Sequence, residues 1–579
     1  IMWSVGNENP ATPIGLETGK HVYRIDPTRP YSFPQGPKDF LRMAENMPDS
    51  LPALSPHYPT YEQMEEWSEK FEQPMVVTEY AHALGTDFGQ MQRLYEIMWS
   101  KPKVAGGSVW ELFDQGIATK TKPMKSKWDY TDFVWTAKDT IYDTNGCDGT
   151  DGLMYADRFP KTNYWQARKV YSYVIVPDTT INVTSGVNNI GVKMINRYDF
   201  TNLNSVSGKW RCLADGKVVA NGTFSPTGAP HTTTIVNIPV NIPEGYADYW
   251  MELDFTDKNG NQFYEKSIRL AKPTSVSLKD ALAGNTTSKI KTGKNSVVTD
   301  SYNLDITPDN GMRLTNSNGK EIISDGLISK VGRKITMTDK ITRGSRRVKK
   351  YPFWDKLWMK ASNLDIKKLS KNEMELSGVF ASDTVVTDSS TVVRRTEGTV
   401  KLTFTSNGWI DVEYDLNAIG EGASVEAGYG LLLPAGMDVV RWLGNGPYAS
   451  YPSKDRLSEY GVWQMHSDDI YFPGNRMHVN AAVVSDNEGN GFVLLTDDAN
   501  VSFERYEEGI LISHNAWQTS AFNKHTWPEG ITLLQDINLK GKFSIMPVTG
   551  EWSPKMRELF GESTKNVPVN APYFHSYDQ

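Results

Sequence analysis

The spacing of apolar positions changes character along the chain. Over residues 1–175, short apolar runs alternate with stretches at helical spacing. Ile1–Glu8 predicts a strand that stops at Gly6-Asn7-Glu8. Pro30–Phe33, after a turn-rich passage, and Leu51–Tyr58 predict two more. Thr60–Phe71 has helical spacing, with Thr60 placed to cap it and Gln63 to complete a capping box. Met75–Thr78 is a short continuous apolar run, as suits a strand buried on both faces. Phe88–Ser100 predicts a helix, and Gly107–Trp110 begins a last strand. Such alternation implies a parallel α/β architecture. Five strands with polar groups at their C-terminal ends fit the latter part of a TIM (β/α)8 barrel.

From about Val176, strand-like runs take over, separated by turn signals at Ser185-Gly186, Asp215-Gly216 and Asn259-Gly260. Residues 176–272 have the size and pattern of a seven-stranded immunoglobulin-like β-sandwich. Residues 273–293 are rich in Pro, Ser, Thr and Gly and read as a linker. Residues 294–579 are again almost all β, with Val400–Phe404, Trp409–Tyr414 and Ala427–Leu433 alternating as strands of a large β-sandwich.

A length of 579 residues is too great for one core, which agrees with several domains. The net charge of -8 opposes a nucleic-acid partner, so the basic, aromatic stretch Arg343–Lys360 reads as a solvated β-loop. Two cysteines, Cys147 and Cys212, cannot make a disulfide framework. No apolar run is long enough to span a membrane as a helix. The 17 tryptophans suit sugar-binding surfaces and large β-sandwich cores alike.

Two carboxylates, Glu8 and Glu79, close apolar strands about seventy residues apart. Either one alone reads most simply as a surface glutamate in a strand-to-loop turn. Together they point to glycoside hydrolysis. The retaining reaction needs a nucleophile and an acid/base with carboxyl groups about 5–5.5 Å apart. Barrel strands converge at one face, so glutamates distant in sequence can meet there.

Trp3-Ser-Val-Gly-Asn-Glu8, Thr78-Glu-Tyr-Ala-His-Ala-Leu-Gly85 and Gly106-Gly-Ser-Val-Trp-Glu-Leu-Phe-Asp-Gln115 resemble glycoside hydrolase family 2. The closest resemblance is to its bacterial β-galactosidases of the lactose-operon type. Gly152–Pro160 is similar to the segment that leaves the barrel in that family, and Arg441–Pro452 to a signature of its C-terminal sandwich. The resemblance implies a retaining exo-β-galactosidase acting on terminal β-galactosides, with Glu79 as nucleophile and Glu8 as acid/base. It implies substrate contacts from Asn7, to the sugar 2-hydroxyl, and from His82. Tyr58 would bond Glu79, and Trp110 would offer the sugar a flat apolar face. Asp114 and Gln115 lie just past Trp110.

The resemblance also implies Mg2+ beside Glu8, with further ligands from upstream, and Na+ near Asp148 or Asp151; no organic cofactor is expected. Gly146–Asp151 departs from the family's pattern at the sodium segment. So does Glu507-Glu508-Gly509, which leads to Ile510-Leu511, leaving Trp517 as the nearest tryptophan. Glu8 would belong to the fourth barrel strand, so upstream strands and domains are expected to be missing, and residues 1–579 alone to have little activity. Two alternatives stand beside this reading: a non-catalytic carbohydrate-binding fragment, and a β-glucuronidase or β-mannosidase of the same family. Many members of this type assemble as dimers or tetramers, so the resemblance implies a homo-oligomer as an expectation. The sequence assigns no compartment.

Overall fold

A computed structural model describes residues 2–9, 12–46, 52–83, 88–115, 118–120, 135–137, 140–142, 151–156, 158–272, 276–283, 287–307, 311–333, 356–386, 393–469, 471–519, 532–562 and 564–566. In its first part the strands run parallel and pair in chain order. Trp3–Ser4 lies beside Tyr31–Ser32. Parallel bridges then join Gln35 to Pro56, Leu54 to Met75 and His57 to Glu79. Met75–Tyr80 pairs with Val104–Val109, and Phe113 bridges Met154. The helices Pro13–Ile25, Pro37–Asn46, Tyr61–Lys70 and Met91–Ser100 fill the four crossovers. Parallel neighbours joined through helices bring all the strand C-termini to one face.

The capping box forms as expected: Thr60 N donates to Gln63 Oε1 at 3.0 Å, and Gln63 N donates to Thr60 Oγ1 at 3.2 Å. The first helix occupies the passage that the sequence presents as turn-rich, and the second lies between the strands expected at Pro30–Phe33 and Leu51–Tyr58. The first carries its own start signal, for Thr12 Oγ1 accepts from Gly15 N at 3.3 Å and Pro13 sits in the opening turn. The second buries Phe40, Met43 and Ala44, one face of a helix at three- and four-residue spacing. These side chains meet Met64, Trp67, Val77, Met91 and Leu94 in one apolar core. The Phe40 and Trp67 ring centroids are 4.5 Å apart. Gly107 is required where two strands crowd, since a Cβ there would lie 2.6 Å from the Val77 carbonyl oxygen.

Next come two facing sheets. One holds Val174–Ile175, Gly186–Asn196 and Thr233–Ile242. The other holds Thr180–Asn182, Ser207–Ala214, Lys217–Phe224, Tyr249–Thr256 and Gln262–Ala271. Together they make a β-sandwich with one strand more than the seven expected. Val192, Met194, Ile238, Cys212, Met251 and Ile268 fill the space between them. Burial pushes the Cys212 thiol up to about 12, so it stays protonated. Asp215 and Gly216 both take positive φ, 46° and 86°, as a tight two-residue hairpin turn demands. Within residues 273–293, Leu278–Leu282 forms a short helix capped by Ser277, with Leu282 buried.

The remaining residues form a small five-stranded sheet over Lys291–Ile323 and a much larger one beginning at Asp325. In the larger sheet, Asp325–Lys330, Lys356–Lys368, Glu373–Ser382, Val393–Thr405, Ile410–Ser424, Thr532–Val548, Gly491–Tyr506, Gly509–Gln518 and Glu426–Pro434 pair in that order. The last of these pairs back to the first, so the circuit closes. Among the described residues no helix is long and apolar enough to cross a membrane.

Polar side chains hold the three parts together. Glu459 of the large sandwich is the hub: its carboxylate receives Lys169 Nζ at 2.6 Å and Ser267 N at 2.6 Å. Lys169 belongs to the helix Thr162–Val170 beside the parallel strands, and Ser267 to the middle sandwich. Nearby, Lys454 Nζ donates to Thr162 Oγ1 at 2.8 Å, and Leu457 N to Gln166 Oε1 at 3.0 Å.

Candidate active site

The site is built where the parallel strands end. Glu8 N donates to the Pro34 carbonyl at 3.1 Å, and Tyr58 N to the Glu79 carbonyl at 2.8 Å. Three residues at these ends have left-handed backbones: Glu8 at φ 52°, Tyr58 at φ 44° and Ala81 at φ 46°. Side chains with a Cβ rarely adopt this region, and such strain persists where surrounding pairing imposes it.

Glu8 and Glu79 come together at one imidazole. His57 Nδ1 lies 3.2 Å from Glu8 Oε1 and 3.6 Å from Glu79 Oε2. The His57 side chain is 1% exposed and that of Glu79 14%, whereas Glu8 is 51% exposed. The two carboxylates thus differ in environment: Glu79 is set into the strand end and Glu8 stands at the mouth.

The Tyr58 hydroxyl is hydrogen bonded to Glu79. Burial, and then the bond and charge of Glu79, push the phenol well above its ordinary range, so it is a neutral donor. Its ring stacks on His82 with centroids 5.9 Å apart and planes 21° apart. His82 Nε2 lies 3.6 Å from Asp151 Oδ2, and Trp110 Nε1 donates to the same oxygen at 3.0 Å. Asp151 therefore orients both the imidazole and the indole. Burial raises its pKa, but the His82 and Trp110 hydrogen bonds and the His82 charge outweigh that, and the carboxyl is held below its usual value. Glu111, beside it, is pushed up by burial against the Gln115 hydrogen bond, with the Asp151 charge adding to the rise. Asp114 is also raised, by burial, although Lys161 Nζ lies 2.5 Å from its Oδ1.

Tyr58, His82 and Trp110 thus form one connected group around Glu79. Asn7 is exposed beside Glu8. Asp148 lies outside the described residues. Among the described residues, no group of three or more His, Cys, Asp or Glu side chains could hold a metal ion. At Glu8 the nearest partner is a ring nitrogen, whereas Mg2+ takes an octahedral shell of oxygens. These residues alone do not fit that ion. Asp151 likewise turns one oxygen toward nitrogen groups on His82 and Trp110. Trp517 packs onto the core of the large sandwich. The sequence reading passed over His57 and Glu111. His57 sits directly before Tyr58 at a strand end, the one signal that marks it.

Comparison with known proteins places these features in context. A family model described as "Glycosyl hydrolases family 2, TIM barrel domain" matches residues 1–176. "Beta-galactosidase, domain 4" matches residues 192–273, and "Beta galactosidase small chain" matches 301–543. A β-galactosidase of Pectobacterium atrosepticum is 20% identical over 515 residues, covering 82% of this chain and 46% of that protein. One from Aeromonas hydrophila is 26% identical over 271 residues, covering 44% of this chain and 24% of that protein. The chain therefore spans less than half the length of these curated relatives. Among solved structures, β-glucuronidase 2 of Bacteroides uniformis aligns over 95% of this chain and 54% of its own, at 11% identity and a TM-score of 0.25. That superposition is too loose to bear on specificity.

Proposed function

The chain belongs to glycoside hydrolase family 2 and carries domains of its β-galactosidase type, and from this premise we propose that the natural full-length protein is a retaining exo-β-galactosidase. The observation that carries the proposal is the convergence of Glu8 and Glu79 on His57. Two oxygens at 3.2 and 3.6 Å from one nitrogen lie less than about 7 Å apart, which accommodates the spacing of about 5–5.5 Å that double displacement uses.

In this reading Glu79 attacks the anomeric carbon and Glu8 protonates the departing oxygen. Glu8 then takes a proton from water as the glycosyl-enzyme is hydrolysed. Glu79 must be ionised to attack, and the Tyr58 hydroxyl supports its charge. The indole of Trp110, fixed through its N–H by Asp151, offers a flat face to the sugar's C–H surface. His82 is held by the same carboxylate, ready to meet a sugar hydroxyl.

The test is Glu79→Gln in the natural full-length protein, assayed on a panel of aryl β-glycosides. The expected result is turnover of β-galactosides by the wild type and a loss of several orders of magnitude in the variant. Undiminished turnover by Glu79→Gln sinks the catalytic assignment. Preference for a glucuronide or mannoside over the galactoside replaces the substrate assignment.

A further inference from the structure

We propose that His57 is a positioning residue that fixes the Glu8 carboxyl group for proton transfer; the proposal rests on the reading of Glu8 and Glu79 as the catalytic pair.

The backbone holds His57 from both sides. Its N–H donates to the Gln35 carbonyl at 2.8 Å, and the residue bridges Glu79 on the next parallel strand. The ring stands at about a right angle to Tyr58, with centroids 6.0 Å apart. His57 Nε2 is buried without a hydrogen-bond partner among the described residues. The polar work of the ring therefore falls to Nδ1, which faces Glu8 at 3.2 Å.

Glu8 needs such a partner. It is half exposed, at the end of a strand and in a left-handed backbone. A long side chain so placed samples several rotamers in water. A rigid, buried hydrogen-bonding group at its tip restricts that freedom and keeps the carboxyl beside Glu79. Glu79 is less dependent on His57. It is set into its strand, bonded by Tyr58, and lies beyond direct hydrogen-bond range of the ring at 3.6 Å. Loss of the imidazole therefore falls on the step that uses Glu8.

This gives a signature that general damage to the site does not share. Poor leaving groups need protonation as they depart, whereas good ones do not. In the natural full-length protein, His57→Ala is expected to lower kcat/KM for an alkyl or phenyl β-galactoside by about tenfold or more. Turnover of a dinitrophenyl β-galactoside, measured in its glycosylation step, should change little. His57→Asn, whose side-chain amide reaches the place of Nδ1, should recover most of the loss. His57→Gln, whose amide reaches the place of Nε2, should not. A thermal melt of each variant confirms that it folds, and the Asn variant stands if the Ala variant does not.

The proposal is overturned if His57→Ala matches the wild type on poor leaving groups. It is equally overturned if all leaving groups lose alike, or if Gln rescues as well as Asn. Glu79→Gln on the same substrates separates the two levels of the argument. An active Glu79→Gln removes the catalytic pair itself. An inactive Glu79→Gln beside a wild-type-like His57→Ala removes only the positioning role.

Discussion

Tyr58 shows how a single side chain can serve the site from two directions. Its hydroxyl bonds Glu79 and its ring stacks on His82. Tyr58→Phe keeps the stack and deletes the bond. A hydrogen bond to a charged group contributes about 1.5–3 kcal/mol, or roughly tenfold to a hundredfold in rate if it acts on the nucleophile. The variant should therefore lose kcat/KM to that extent on aryl β-galactosides of every leaving group, in contrast to the selective loss expected at His57. Equal activity of Tyr58→Phe and wild type in steady-state kinetics would refute the role. At this scale the two glutamates were legible because each ends an apolar run. His57 was not. A lone histidine has no periodicity, and its closeness to Glu8 arises from the pairing of three strands, a register no single stretch of sequence carries. Asp151 was legible as a polar residue of interest, but its two partners lie forty and seventy residues upstream.

At the scale of elements, the strand Gly509–Gln518 carries a buried titratable group. The Tyr414 hydroxyl lies 2.8 Å from His514 Nδ1, and the His514 ring stacks on Phe543. Burial lowers the pKa of His514 to about 4 from an ordinary value of 6.5. The unfolded chain therefore binds a proton here more readily than the folded one. The stability contributed by the neutral ring is complete above about pH 6.5 and is lost as pH falls toward 4, by at most about 3 kcal/mol. Denaturant titrations at several pH values in this window should show a shallower loss for His514→Phe than for the wild type. An unchanged slope would exclude the assignment. The legibility of elements followed the same physics. Thr60 and Gln63 announced their helix because both partners of the cap lie within four residues. The helix Pro37–Asn46 escaped notice because its apolar face is only three side chains wide and becomes visible once Trp67 packs against it. The Thr12-Pro13 start of the preceding helix was readable and was masked by the turn formers around it.

For the whole molecule, the change from mixed to alternating apolar spacing near residue 176 revealed a passage from parallel α/β structure to β-sandwich. What that spacing left hidden is how the parts adhere, since Glu459 joins residues nearly two hundred and three hundred positions away. Glu459→Ala removes one of the two carboxylates that Lys169 meets in this seam, leaving Glu265 at 3.1 Å, and takes away the acceptor of Ser267 N; hydrogen bonds to a charged group contribute about 1.5–3 kcal/mol. Chemical denaturation should register a loss of that size, and a change within error of zero would show that the seam is not held by this hub. The strand order of the large sandwich was equally beyond local reading, because Asp325–Lys330 finds its neighbour Glu426–Pro434 about a hundred residues later. That closed circuit sets a timetable for synthesis. Thr532–Val548 is the strand that bridges Ile410–Ser424 to Gly491–Tyr506. Until the ribosome has released it, both neighbours present unpaired backbone to any other nascent chain. The ring therefore closes only after residue 548 has emerged, and a chaperone that shields those two edges should raise the yield of folded protein more than one acting on the parallel strands, whose partners emerge within about forty residues of one another.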